Sequence, residues 1–578
     1  MKRFLRQVLV SALGVLVAGV LFLGIIIGAG ILFFEIKSSP PKLQAKSILH
    51  IPLRGQVVAH LPTFEKANKD FIDLLVLQKA IKDAQQDSHI QGMYLEVGDL
   101  VAGWATLEEI RASLQAFKDA GKFVIAYGER YNSKSYYLAS LADELLLHPA
   151  GSLLFNGLSM TVLFYKRLLD KLEIVPEVFR VGRYKSAIEP YISHGMSEAS
   201  KEQSTVLLTT IYKHIIHKIA VARKLSVAAL KRMANDLSVL HPQGAYKASL
   251  ITQIGHADDA AKVINNKLGV PVDKKIKYVG FRKYKATKLN LPLPKNQIAV
   301  LTASGVIMDE PGIPNTIHTA DFIKNLKKLK KDPTIKAIVL RINSPGGSAV
   351  ASDSMWKAVM LAKEEKPIVA SMADVAASGG YYMATACHTI VAHPTTITGS
   401  IGIFSLYFSL EALLKNKLGI TGDVIKTSPS ADLFSISRPL SSYEKSVLQK
   451  QVEQGYHTFL ERVATGRNMD QAVVARLAEG RVWPGVLAKK HGLIDELGGL
   501  DDAITKAADL AGLQADYEVT YWPKPKSWLQ EKLIDWEGVK SKSLKHHILE
   551  RISPLQSIQD LVYMQGNQAR LPYTIEIE

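Results

Sequence analysis

"KSYYLASLADELLLHP" (residues 134–149) and "GGYYMATACHTIVAHP" (residues 379–394) are two versions of one phrase, and their kinship decides the fold. Tyr136 and Tyr137 match Tyr381 and Tyr382, and His148-Pro149 matches His393-Pro394, at one constant offset. Working outward, "ILHIPLRGQVV" (48–58) resembles "QIAVLTASGVI" (297–307), and "LITQIGHADDA" (250–260) resembles "LIDELGGLDDA" (493–503). Self-similarity on this scale means that the chain holds two copies of one structural unit. The expected organisation is a first repeat over 46–285, a Pro- and Lys-rich linker over 286–296, and a second repeat over 297–521. A basic tail with scattered Trp and Leu follows over 522–578. The tail carries no assignable motif and is expected on a membrane or simply on the surface.

Within each copy, short β-branched runs alternate with helical stretches. "KAIVLRINSPGG" reads as a strand that breaks at a glycine turn, "DSMWKAVMLAKEE" as a helix, and "PIVASMADVAASGGYYMATAC" as strand, turn and small-residue helix. "HTIVAHP" is a strand again. This rhythm predicts α/β units built on parallel sheets.

The chain has 578 residues, 47% hydrophobic and 22% charged, which excludes a disordered protein. Its formal net charge of +17 is spread out, with only short clusters such as "KNLKKLKKD". No zinc-finger, basic-zipper or RNA-binding signature accompanies it, so no nucleic acid is expected and an anionic lipid surface is the better match. The single cysteine, Cys387, rules out an intrachain disulfide and reads as a core filler. "MKRFLRQ" (1–7) is basic, and residues 8–34 carry no charge. That run is long enough to span a bilayer, and no small-x-small cleavage site follows it. A signal anchor is expected, with Lys2, Arg3 and Arg6 cytoplasmic and the bulk of the chain on the far side, the periplasm of a Gram-negative cell.

The differences between the copies locate the chemistry. "TGSIGIF" (398–404) has Ser400 where the first copy has Phe155, while Gly402 faces Gly157. "VGRYKSAIEPY" (181–191) has Lys185 where the second copy has Ala431. A lysine among Tyr184, Ser186, Ala187 and Ile188 can be desolvated, which lowers its pKa and lets it accept a proton. Gly346 and Gly347 of "INSPGG" stand where the first copy has Val101 and Ala102, and they allow a backbone N–H to approach a carbonyl, as an oxyanion hole requires. The amide of Ile401, next after the serine, is a further candidate donor. One copy thus supplies a nucleophile and the other a base, and a Ser–Lys dyad needs neither histidine nor aspartate. Glu189 would oppose a neutral lysine, so it is expected to point away or to pair with a cation such as Arg183.

Together these motifs resemble the signal peptide peptidase A (protease IV) family in its long tandem-repeat form, peptidase family S49 of the Clp–crotonase superfamily. The resemblance implies two ββα spiral units, Ser400 as nucleophile and Lys185 as general base. It also implies a homotetrameric bowl in the bacterial inner membrane that degrades released signal peptides and other apolar peptides. Three rivals stand beside it. Ser378 of "AASGG" could attack with His393 or His388 as base, although Ser133 stands opposite it in the first copy. A crotonase-like acyl-CoA enzyme would share the glycine turn, and an anchored scaffold would need no chemistry. No cofactor or metal is expected: His214 and His217 are a helical step apart, but the sequence offers them no evident carboxylate or third ligand.

Overall fold

Apolar β-branched runs become parallel strands because both sheet faces are covered by helices. In the first half, Ser47–Val58, Ile90–Val101, Phe123–Tyr131 and Glu144–Leu153 pair in that order, all parallel. In the second half, Gln297–Ser304, Ile335–Ser344, Ile368–Ala377 and Thr389–Ala392 repeat the arrangement. The computed structural model describes residues 43–59, 70–284, 296–309, 316–514, 516–524 and 567–570, and a few isolated positions before residue 25. Apart from those isolated positions, the expected anchor over 8–34 lies outside the described residues, as do linker residues 286–295. Among those described, no helix is long and apolar enough to cross a membrane.

The duplication extends to single hydrogen bonds. Tyr136 Oη donates to the Leu250 carbonyl at 2.8 Å, and Tyr381 Oη donates to the Leu493 carbonyl at 2.8 Å. Tyr137 Oη donates to Glu108 and Tyr382 Oη to Asp353. The long helices Glu198–Arg223 and Ser442–Arg467 start alike, at Ser197 and Ser441, whose hydroxyls accept from backbone amides of the first turn. They also end alike, on the left-handed residues Lys224 and Asn468. Cys387 lies in the core of the second half, where burial pushes its thiol up to about 12. Trp522, placed at the start of the tail by the sequence, ends the strand Glu518–Trp522, which pairs with Gln297–Ser304.

The halves interlock rather than stand side by side. The strand Val175–Arg180 of the first half pairs antiparallel with Phe404–Ser409 of the second. The helix Trp104–Asp119 has Gly103 at its N-cap, which has no side chain with which to cap. Asp374 of the second half does so instead, accepting from Thr106 N at 2.8 Å and Thr106 Oγ1 at 2.5 Å. A Cβ on Gly103 would collide with that carboxylate. One turn on, Glu109 is fully buried against Arg341 at 2.6 Å and His393 at 3.1 Å, both from the second half.

Burial alone would raise the Glu109 carboxyl, but Arg341 and His393 outweigh it and hold it at about 2 instead of its ordinary 4.5. The folded-state value is depressed, so this tie contributes stability above pH 4.5 and loses it as the pH falls through about 2. Glu109→Ala leaves Arg341 buried without its partner and is expected to cost about 3–5 kcal/mol. A denaturant melt checks this: the loss should be largest near neutral pH and shrink below pH 4.

Candidate active site

Lys185 is delivered by the strand that crosses between halves. After Arg180, paired with Phe404, the chain turns at Gly182 (φ 97°) and reaches Lys185 just before the short helical turn Ser186–Ile188. Gln203, from the helix Glu198–Arg223, holds this loop. Its amide nitrogen donates to the Tyr184 carbonyl at 3.0 Å and Ser186 Oγ at 3.1 Å, while its oxygen accepts from Val482 N at 3.2 Å. Tyr184 N donates to the Glu479 carbonyl, and Arg481 reaches Tyr184 Oη at 3.0 Å and Glu202 at 2.9 Å. The loop of one half is thereby fastened to residues 479–482 of the other.

The structure brings Lys185 and Ser400 together. Lys185 Nζ lies 3.0 Å from Ser400 Oγ, 3.2 Å from the Ser400 carbonyl and 2.9 Å from Ser378 Oγ. All three residues are fully buried. Burial drives the Lys185 amine well below its ordinary pKa. A neutral amine has two N–H donors and one lone pair, which matches three partners: one hydroxyl can donate to nitrogen while the other oxygens accept. The close fit depends on two glycines. A Cβ on Gly480 (φ 77°) would stand 2.6 Å from Lys185 Cβ, and one on Gly402 would stand 3.3 Å from Lys185 Cδ. Glu189 does not pair with Arg183, which instead binds Glu479 at 2.8 Å. Its carboxylate turns to Ser197, accepting from the amide at 3.1 Å and the hydroxyl at 2.6 Å.

The first half shows the same place without chemistry. Phe155, opposite Ser400, is buried edge-on against Tyr136. Ser133, opposite Ser378, faces the Gly157 carbonyl at 3.5 Å. The histidines weighed as bases for Ser378 are engaged elsewhere: His393 on Glu109, and His388 Nδ1 accepting from Ile368 N at 3.0 Å. His214 does have a carboxylate beside it, Glu108 at 2.8 Å, which the sequence reading missed because Glu108 arrives from a separate helix. Among the described residues, however, no group of three or more such side chains could hold a metal.

Ser378 was considered above only as a rival nucleophile, yet it shares the lysine. Ser378→Ala removes one of the three amine partners without removing Ser400. Hydrolysis is expected to fall about 10- to 100-fold, the scale of misplacing a catalytic group. The rate against pH for this variant, beside its thermal midpoint, separates mispositioning of the amine from loss of fold.

The candidate oxyanion donors stand nearby with differing commitments. Gly346 (φ 97°) donates its N–H to Ser344 Oγ at 3.2 Å, and Gly347 pairs with Ile307. Ile401 gives its carbonyl to Gly480 N at 2.8 Å. Gln203, Gly480 and Arg481 went unnoticed in the sequence, where nothing local marks residues whose role is to fasten a distant loop.

A buried serine and an amine with a lowered pKa, joined across two copies of one unit, can carry out acyl transfer. A family model described as Peptidase family S49 matches the chain twice, over residues 116–271 and 360–514. Serine protease SPPA, chloroplastic, of Arabidopsis thaliana is 34% identical over 495 residues, spanning 83% of this chain and 71% of that protein. Protease 4 of Salmonella typhi is 33% identical over 507 residues, 86% of this chain and 81% of the relative. Protease 4 of Haemophilus influenzae is 34% identical over 496 residues, 80% and 79% of the two chains. With the family model matched in both halves and relatives aligned along most of both chains, this chain belongs to peptidase family S49 and is a serine peptidase.

Proposed function

We propose that Ser400 is the nucleophile and Lys185 the general base of an endopeptidase that cuts apolar peptides, foremost signal peptides already released from their precursors. The observation that carries this reading is the 3.0 Å contact between a fully buried lysine and a buried serine. In acylation, Ser400 Oγ bonds to the peptide carbonyl carbon while its proton passes to the neutral Lys185 amine. The carbonyl oxygen becomes an oxyanion and accepts from the amides of Gly346, Gly347 and Ile401, with the Gly346 N–H released from Ser344 Oγ. The ammonium then protonates the leaving amine as the C–N bond breaks, which leaves an acyl-enzyme and a neutral lysine. Water attacks the ester with Lys185 again taking the proton, and Ser400 is restored.

On this reading the two repeats are Clp–crotonase spiral units within the boundaries given above. Residues 8–34 anchor the chain in the inner membrane of a bacterium, and the catalytic bulk lies in the periplasm. Exposed apolar side chains, Leu163, Leu168 and Val175 in one half and Ile420, Val424 and Ile425 in the other, support assembly into a homotetramer. Profiling a peptide library tests the substrate class: cleavage should fall beside small or medium apolar residues. A dominant preference for acidic residues at the cut would contradict it.

A further inference from the structure

The basic run "KNLKKLKKD" (324–332), which the dyad leaves without a role, folds into the last two turns of the helix Thr319–Lys331. The apolar side of this helix, Phe322, Leu326 and Leu329, is buried in the second half. Its outer side carries Lys324, Lys327, Lys328 and Lys331, all exposed, at the three- and four-residue spacing that sets side chains in one row along a helix. Neighbouring carboxylates are committed elsewhere: Asp321 to His318 at 3.2 Å, Glu365 to Lys330 at 2.6 Å, and Asp332 to the Thr334 amide at 2.9 Å. The repeat unit does not need this row. At the offset of the paired tyrosines, the first half has Asp83 and Gln86 in place of Lys328 and Lys331, and Lys79, matching Lys324, binds Asp83 at 3.0 Å. Like charges four residues apart oppose a helix, and only those in the last turn are favoured by its dipole.

The entry of the chain shows which way the row points. The uncharged run read as an anchor ends at residue 34 and the folded unit begins at 43, a gap that spans at most about 30 Å. The unit begins where the first-half strands start: Lys46 Nζ donates to the Leu268 carbonyl at 2.8 Å, and Ile48 N to the Lys277 carbonyl at 2.9 Å. Beside this point Lys274, Lys275 and Lys277 are exposed, with Asp273 as the acid among them. The second half sets its strand starts on the same side. The helix Trp104–Asp119 runs from the finish of Ile90–Val101 toward the start of Phe123–Tyr131. Its Thr106 meets Asp374; further along, Glu109 meets Arg341, which is level with Ser371, nearer the start of the strand Ile368–Ala377. Lys331 directly precedes another start, that of Ile335–Ser344, whereas Ser378 and Ser400 follow strand finishes.

We propose that this end of the molecule lies on an anionic lipid surface, with the lysine row and Lys274, Lys275 and Lys277 against the headgroups and the dyad at the opposite end. The proposal rests on reading residues 8–34 as an anchor. Lysines clustered on an amphipathic helix close to a membrane suit acidic headgroups, and their attraction fades with salt.

Lysine labelling tests this. The full-length wild-type chain is reconstituted in vesicles of phosphatidylcholine, or of phosphatidylcholine and phosphatidylglycerol in equal parts, and treated with a membrane-impermeant acetylating reagent. Mass spectrometry then reads each lysine. The chain should float with both vesicles. Acetylation of Lys327, Lys328, Lys331, Lys274, Lys275 and Lys277 should slow about 5-fold in the acidic vesicles alone and recover in high salt. Lys201, exposed on the helix that holds the dyad loop, should react equally in both. Equal rates at the six lysines, or an equal slowing at Lys201, would overturn the proposal. So would protection of the row by duplex DNA and not by acidic vesicles. Floating with acidic vesicles alone, with the same protection, would disprove the anchor and keep the lysine contact; floating with neither would overturn both.

Discussion

Ser400→Ala is expected to lower kcat/KM for peptide hydrolysis by about 10⁴-fold or more, the scale seen when a nucleophile is deleted. The hydroxyl is the only group removed. Ser400 sits in the left-handed region (φ 53°), held by its amide bond to the Arg481 carbonyl at 2.7 Å, and alanine keeps that amide. Stability should change by no more than about 1 kcal/mol, since serine and alanine share the strain of this backbone. A steady-state assay beside a denaturant melt separates the two quantities. Near-normal hydrolysis by Ser400→Ala, with loss in Ser378→Ala, would transfer the nucleophile to Ser378.

Lys185→Met should cost hydrolysis about 10³-fold or more, because a thioether fills the volume of the amine and takes no proton. Its stability should move the other way. In the wild type the folded state binds this proton less readily than the unfolded chain does, since burial lowers the amine well below 10.5. Between the lowered value and 10.5, stability rises with pH, and below that window the site carries its full cost. Methionine removes the cost, so Lys185→Met should be the more stable chain near neutral pH, and the gap should close as the pH approaches 10.5. Activity has a parallel signature. An unshifted lysine would be neutral in about one molecule in 2,500 at pH 7, so wild-type acylation should rise with pH and level off well below 10. Lys185→Arg should be inactive and destabilised, since a guanidinium keeps its proton even when buried. A wild-type rate that climbs steadily to pH 10 would show that the lysine is not desolvated in solution.

What the sequence disclosed, and what it hid, follows from the range of the forces involved. The two copies were legible because each builds its own parallel sheet, and covered strands such as Ile335–Ser344 write themselves as apolar runs. The pairing of Ser400 with Lys185 was legible only as a difference, Ser400 against Phe155 and Lys185 against Ala431, because the two residues come from different copies. The contacts that join the halves left no mark. Asp374 caps a helix that begins at Trp104, and no periodicity connects a carboxylate on the strand Ile368–Ala377 to an N-terminus so far upstream. Nothing in the sequence of Val175–Arg180 names Phe404–Ser409 as its strand partner. "NQAR" (567–570) has little strand propensity, and its place between Gly346–Ser348 and Phe404–Ser409 rests on backbone pairing, which side-chain patterns do not encode. Ser378 and Ser400 look alike in sequence as turn serines beside glycine; only the structure puts one lysine within 3.0 Å of each.

That shared lysine makes the position of the covalent adduct the most direct test of the central claim. The full-length chain is labelled with a fluorophosphonate, digested, and the modified serine is identified by mass spectrometry. The account predicts an adduct on Ser400, absent from Lys185→Met, and forming in Ser378→Ala at a reduced rate. An adduct on Ser378, or one on Ser400 that forms at the wild-type rate without Lys185, would contradict it.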